Sequence, residues 1–230
     1  MTDYLVVTTK PWNVAAFERC SPRLPGRWSL ITEAGELTPE RISEIGPEFA
    51  FFPHWSEIVP QAVLDSVTCV GFHMSDLPFG RGGSPLQNLI SHGHRDTMLS
   101  AIRLVPELDG GPIYLKRPLS LAGRAQDIFE RQAELVYDMI EEIIAAKPVP
   151  RPQEGEVTEF SRRSPDQSRL PETGELSQLY DHIRMLDAET YPLAVLDHGE
   201  FRLEFSEAEL KDGGLTARVA FRRGGDTKEG

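Results

Sequence analysis

Cysteine is scarce in this chain. Only Cys20 and Cys69 occur in 230 residues. They lie far apart in sequence and in apolar surroundings, so they read as reduced core residues and not as a disulfide or a pair of metal ligands. Long hydrophobic runs are missing too. Nothing approaches the roughly 18 consecutive apolar residues that a membrane-spanning helix needs. The opening MTDYLVVTTK starts a strand and lacks the charged-then-apolar pattern of a leader, so a cytoplasmic location is expected. Positive charge is in deficit: 24 Lys and Arg stand against 36 Asp and Glu, a formal net charge of −12. A phosphate polymer would be repelled unless a local basic patch offset this. Arg162-Arg163 and Arg222-Arg223 are short, so no nucleic-acid partner is expected. Internal repeats and low-complexity tracts are absent. The hydrophobic share of 40% is ordinary for a folded chain, and the length suits one sizeable domain with a small appendage.

What is present concentrates between Val70 and Ile113. Ser66 to Phe72 (SVTCVGF) reads as a buried strand, and His73 follows at its carboxyl end. Met74 to Gly83 carries Pro78, Gly80, Gly82 and Gly83 and reads as a loop. Ser84-Pro85 then resembles an N-cap with proline at the first helical position. Thr97 to Val105 reads as the next strand, with Glu107 to Pro112 (ELDGGP) turning beyond it. Two neighbouring strands whose carboxyl-end loops carry His73 and Asp109 match an open α/β sheet, where ligands sit outside those ends. Singly, a His after a strand is more often a hydrogen-bonded structural residue, and an Asp before Gly-Gly a turn former.

Elsewhere Tyr4 to Thr9, Arg27 to Ile31 and Glu48 to Pro53 read as strands. Trp12 to Arg19 and a Thr38-Pro39 start read as short helices, and about Ala122 to Ala146 as the longest one. Leu176 to Leu186 is a further amphipathic helix. Phe201 to Phe205 and Leu215 to Phe221 alternate as half-buried strands around Asp212-Gly213-Gly214. His92 and His94 lack a third ligand nearby, and no metal site is expected. The expected division is a catalytic domain over 1–170, a helix and β-hairpin subdomain over 171–223, and a flexible tail over 224–230.

Taken together, His73, Ser75, Leu77, Pro78, then Arg81, Gly82, Pro85, then Leu108, Asp109, Gly111 and Ile113 resemble the formyltransferase family that uses 10-formyltetrahydrofolate. The resemblance runs from about Phe49 to Phe221. It implies a Rossmann-like α/β domain with a mostly parallel central sheet and a small C-terminal β-rich appendage. It also implies 10-formyltetrahydrofolate as co-substrate, His73 and Asp109 as catalytic groups, and a folate site formed by Trp55, Ile58, Val59, Val105, Glu107 and Asp109. The main chain of Ile58 and Val59 would pair with the pterin edge, and Trp55 would form an apolar wall. Arg81 and Asn88 are the candidates for contact with the acceptor substrate. That run looks closest to enzymes acting on nucleotide-linked amino sugars of the pseudaminic acid type, which agrees with the acidity and the short C-terminal piece. A homodimer is compatible with this reading.

One departure matters. The family has Asn two residues before the His, as a donor to the formyl oxygen; here that residue is Gly71. Candidate replacements are His54, Ser75 or a backbone amide. The rival readings are a binding protein that has lost turnover, a methionyl-tRNA formyltransferase, and a hydrolase of the formyl-folate.

Overall fold

The computed structural model describes residues 1–223; the tail expected over 224–230 lies outside the described residues. The chain runs β1 (Asp3–Val7), α1 (Pro11–Cys20), β2 (Arg27–Ile31), α2 (Pro39–Ile45), β3 (Phe49–Pro53), α3 (Gln61–Ser66), β4 (Thr68–His73), β5 (Arg81–Gly82), α4 (Pro85–Ser91), β6 (Asp96–Arg103), β7 (Ile113–Ser120), α5 (Ala125–Ala146), β8 (Glu159–Phe160), α6 (Leu176–Arg184), β9 (Ala194–His198), β10 (Phe201–Lys211) and β11 (Gly214–Arg223).

Six of these strands form one sheet in the order β2-β1-β3-β4-β6-β7. β1, β2, β3 and β4 are mutually parallel. β1, β3 and β4 are mostly apolar and buried, as strands covered on both faces require, while the edge strand β2 is half-exposed. Leu5, Val7, Ala50, Phe52 and Cys69 pack on one face with Ile42, Val59 and Val63. Tyr4, Trp28, Phe51 and Phe72 form a continuous row of aromatic contacts. α2 starts as anticipated: Thr38 Oγ1 accepts from the Arg41 amide at 3.2 Å, Pro39 takes the first turn, and Gly46 ends the helix in the left-handed region.

Two expectations are corrected. β6 does lie beside β4, but antiparallel, with His73 opposite Ser100 and Val70 opposite Arg103. The carboxyl ends of these two strands therefore point to opposite edges of the sheet, and the 104–112 loop must double back to approach His73. Residues 113–120 form β7, although Pro118 to Ser120 alone read as the approach to the long helix. This strand lies at the sheet edge, where the charges of Lys116 and Arg117 and the missing amide of Pro118 are tolerated. α3 was also not anticipated; six residues are too few to show a period.

The chain packs as two compact units. One comprises Met1–Pro85, Thr97–Leu119 and Phe129–Phe160; the other comprises Leu86–Asp96, Ser120–Ile128 and the chain from Ser161 onward. The second unit thus gathers three separate stretches of chain. It contains an antiparallel sheet in the order β11-β10-β9. The β10–β11 turn places Asp212 and Gly213 at positive φ, which the tight hairpin geometry demands. Arg184 is the largest fully buried side chain. Its guanidinium donates to Asp181 Oδ1 at 2.6 Å and to the carbonyls of Leu121 at 2.6 Å and Gly123 at 2.8 Å. Among the described residues no helix is long and apolar enough to cross a membrane.

Candidate active site

β4 carries His73 as its last residue, held between two buried neighbouring strands. The ring is fixed from behind. His73 Nε2 lies 2.8 Å from the Gly80 carbonyl, which also accepts from Ser75 Oγ at 3.2 Å. A carbonyl can only accept, so Nε2 carries its hydrogen in both charge states of the ring. Nδ1 is then the atom at which His73 takes up or releases a proton. It faces Asp109 Oδ1 at 3.4 Å, and both side chains are largely shielded, 10% and 16% exposed. The sequence-predicted pair is therefore brought together, by a route other than the parallel strands first inferred.

The loop that does this is tightly held. The Leu104 amide extends the β6 pairing by donating to the Cys69 carbonyl at 2.9 Å, and the Arg103 amide closes the loop on the Pro112 carbonyl at 2.9 Å. Gly111 passes so close to Arg103 that a β-carbon there would sit 1.7 Å from its carbonyl oxygen, so only glycine fits. Asp109 has φ +50, in the left-handed region that Asp tolerates better than most side chains. Its Oδ2 accepts from the Gly82 amide at 2.9 Å, which anchors the carboxylate to β5 and leaves Oδ1 toward His73.

The remaining candidates divide. Trp55 packs against the core beside Val59, and its buried Nε1 has no hydrogen-bond partner among the described residues. Val59 is buried, whereas Ile58 is 90% exposed. Among the described residues no hydrogen bond engages the main chain of Ile58 or Val59. Val105 is half-buried, with Cγ2 3.5 Å from where a Gly111 β-carbon would stand. Glu107 is exposed and pairs with Arg81. Arg81 is not open to a substrate on all sides: its Nε and Nη2 donate to Gln153 Oε1 at 3.1 and 2.9 Å. Asn88 lies in the second unit, half-buried, and its amide donates to the Ser161 carbonyl at 3.1 Å.

The space beside Gly71 is filled by Leu104. A β-carbon at 71 would meet Leu104 Cδ2 at 2.5 Å. The absent Asn side chain is thus replaced by an apolar one, a residue that no sequence signal marked. Ser75 is already committed to the Gly80 carbonyl. His54 sits at φ +50 with its ring edge-on to Phe129 (4.6 Å) and Trp12 (5.3 Å). Burial, with Lys10 nearby, lowers its pKa to about 3, so it is neutral at pH 7.

Two expected outcomes follow here. Gly71→Asn destabilises the fold by about 1–3 kcal/mol through overpacking. Leu104→Ala leaves a cavity, and the double variant is more stable than the sum of the singles; urea midpoints of the four proteins measure this coupling. For His54, the folded pKa of about 3 lies below the unfolded value of 6.5. The unfolded chain therefore binds the extra proton first, and this contribution to stability, complete above pH 6.5, is lost as pH falls toward 3. His54→Asn, a residue that accepts positive φ, flattens the thermal midpoint between about pH 7 and pH 4 relative to wild type.

The architecture defines an open α/β domain, with a shielded imidazole–carboxylate pair in it. Comparison with known proteins gives the class a family. A methionyl-tRNA formyltransferase structure from Clostridium thermocellum is 44% identical, superposes with a TM-score of 0.94, and matches over 97% of this chain and 100% of its own. The chain belongs to the formyltransferase family. The family profile described as "Methionyl-tRNA formyltransferase, C-terminal domain" matches residues 165–222. Methionyl-tRNA formyltransferase of Streptococcus pyogenes is 28% identical over 187 residues, 77% of this chain and 60% of that protein. The chain thus spans about 60% of the length of this curated relative. A sugar N-formyltransferase from Shewanella shares the fold at 15% identity, with a TM-score of 0.67, 95% of this chain and 96% of its own. The leaning toward sugar enzymes is met only at the level of fold.

Proposed function

We propose that the chain transfers a formyl group from 10-formyltetrahydrofolate to a primary amine, and that the amine is the one carried by methionyl-tRNA. The observation that carries the chemistry is His73 Nδ1 facing Asp109 Oδ1 at 3.4 Å while Nε2 is tied to Gly80. The names of relatives at 44% and 28% identity support the acceptor.

The co-substrate supplies the formyl group. The main chain of Ile58 and Val59 would hold its pterin, because it is polar and uncommitted within the protein, with Trp55 as an apolar wall. An attacking amine must be neutral and must lose a proton as the new C–N bond forms. His73 Nδ1 is the atom placed to take that proton, with Asp109 holding the charge that results; the bond between folate N10 and the formyl carbon would then break, and N10 would receive the proton as tetrahydrofolate leaves. Negative charge growing on the formyl oxygen needs donors. Gly71 offers no side chain, Leu104 none that is polar, and Ser75 is occupied. A protonated His73 Nδ1 and a main-chain amide are the donors of this reading.

A second reading, in which the acceptor is a nucleotide-linked amino sugar, has a specific observation behind it. Three arginines of the second unit are paired with acids: Arg169 with Asp197, Arg218 with Glu207 and Arg222 with Glu204. With a net charge of −12 this disfavours a polyanion. One experiment separates the readings. The purified protein is given 10-formyltetrahydrofolate with methionyl-tRNA, with nucleotide-linked amino sugars, or with no amine, and one added formyl group is read by mass. Formyl-methionyl-tRNA supports the first reading. Formylated sugar moves the acceptor to the second. Release of formate with water alone, or no reaction, overturns both.

A further inference from the structure

We propose that Gln153 is a positioning residue for the reaction, acting through Asp109. Nothing in its sequence context, a proline-rich VPRPQEG stretch, marks it. Its amide is saturated. Nε2 donates to the main-chain carbonyls of Asp109 at 2.6 Å and Gly111 at 2.8 Å. Oε1 accepts from Arg81 Nε at 3.1 Å and Nη2 at 2.9 Å. An amide has two N–H donors and one oxygen with two lone pairs, so all four positions are used. The orientation is dictated as well: a guanidinium only donates and a carbonyl only accepts.

These four bonds tie together the two pieces of chain that set the Asp109 carboxylate. One is the 109–111 turn, where Asp109 holds φ +50, a conformation that costs energy unless its surroundings enforce it. The other is Arg81-Gly82, whose Gly82 amide grips Asp109 Oδ2. Gln153 thus fixes the backbone of Asp109 on one side and the strand that holds its carboxylate on the other. Releasing the turn lets Oδ1 drift from His73 Nδ1, already separated by 3.4 Å. Displacement by about 1 Å at a reacting pair is enough to cost roughly a hundredfold in rate.

Gln153→Glu tests this, because it keeps the shape and the acceptor toward Arg81 but cannot donate to the two carbonyls. The inference rests on the formyl-transfer reading for its kinetic arm only. In that arm Gln153→Glu lowers kcat about 10- to 100-fold with little change in KM for the folate. In an Asp109→Asn background the same substitution has little further effect, since a residue acting through Asp109 has nothing left to act on. A second arm needs no turnover. The His73 ring resonances, followed by NMR, move on Asp109→Asn, move in the same sense on Gln153→Glu, and do not move again in the double variant. Additive losses in kcat, or His73 resonances unchanged by Gln153→Glu, overturn the proposal. If wild type transfers no formyl group, the functional reading fails and the NMR arm still decides the role of Gln153.

Discussion

His73→Ala lowers kcat for formyl transfer by about 100- to 10,000-fold, the range for loss of a positioned acid–base group. The KM for 10-formyltetrahydrofolate changes little, because no pterin contact of the reading involves the imidazole. In the proposed reaction Nδ1 would be the proton-accepting atom, and its replacement would leave the amine with no neighbouring base except Asp109. Asp109→Asn is the sharper companion. Asn keeps an oxygen that can accept from the Gly82 amide, so the 109–111 turn retains that anchor while the charge facing Nδ1 disappears. Its loss in kcat therefore measures the electrostatic part of the pairing alone. Pre-steady-state measurement of the formyl-transfer step on both variants checks the assignment. A His73→Ala protein within about threefold of wild type, far below the acid–base range, would remove His73 from the chemistry.

The second large effect concerns stability. Arg184→Met is expected to destabilise the protein by about 3–5 kcal/mol, the cost of leaving one member of a buried ion pair unmatched. Arg184 is 2% exposed and serves three acceptors at once. Its removal strands the carbonyls of Leu121 and Gly123 and leaves Asp181 with only Arg95, at 3.2 Å. Arg184→Lys recovers little, since a single ammonium cannot reach the positions spanned by a planar fork. Arg184→Met combined with Asp181→Leu regains part of the loss, because the unmatched carboxylate goes too. Chemical denaturation midpoints of the three variants test this; a midpoint for Arg184→Met equal to wild type would show the network to be dispensable.

Much of the site was legible because it depends on local signals. β-branched apolar residues ending in His73, the glycine-rich loop, the Ser84-Pro85 start and the Leu108-Asp109-Gly110-Gly111 turn each carry their own conformational reason. The antiparallel direction of β6 was not legible. A buried strand reads the same in either direction, and pairing direction is set by how the chain returns. Leu104 and Gln153 were missed for a related reason. Leu104 matters only because its side chain fills the space beside Gly71 on the neighbouring strand, and Gln153 only because Arg81 and Asp109 converge on it from 72 and 44 residues away. Such relations have no spacing to detect. β7 was hidden by its own composition, since Lys116, Arg117 and Pro118 argue against an interior strand and say nothing against an edge.

That edge has a consequence for how the molecule behaves in a crowd. A strand with a free flank is a template on which another chain can grow. Along β7 the template is spoiled: Ile113 already exchanges two main-chain hydrogen bonds with Arg151, at 2.7 and 2.8 Å, Lys116 and Arg117 carry charge, and Pro118 has no amide hydrogen. An incoming strand would find the first residue of the border already paired and charged side chains along the rest. The border of the sheet thus disfavours polymerisation through this side.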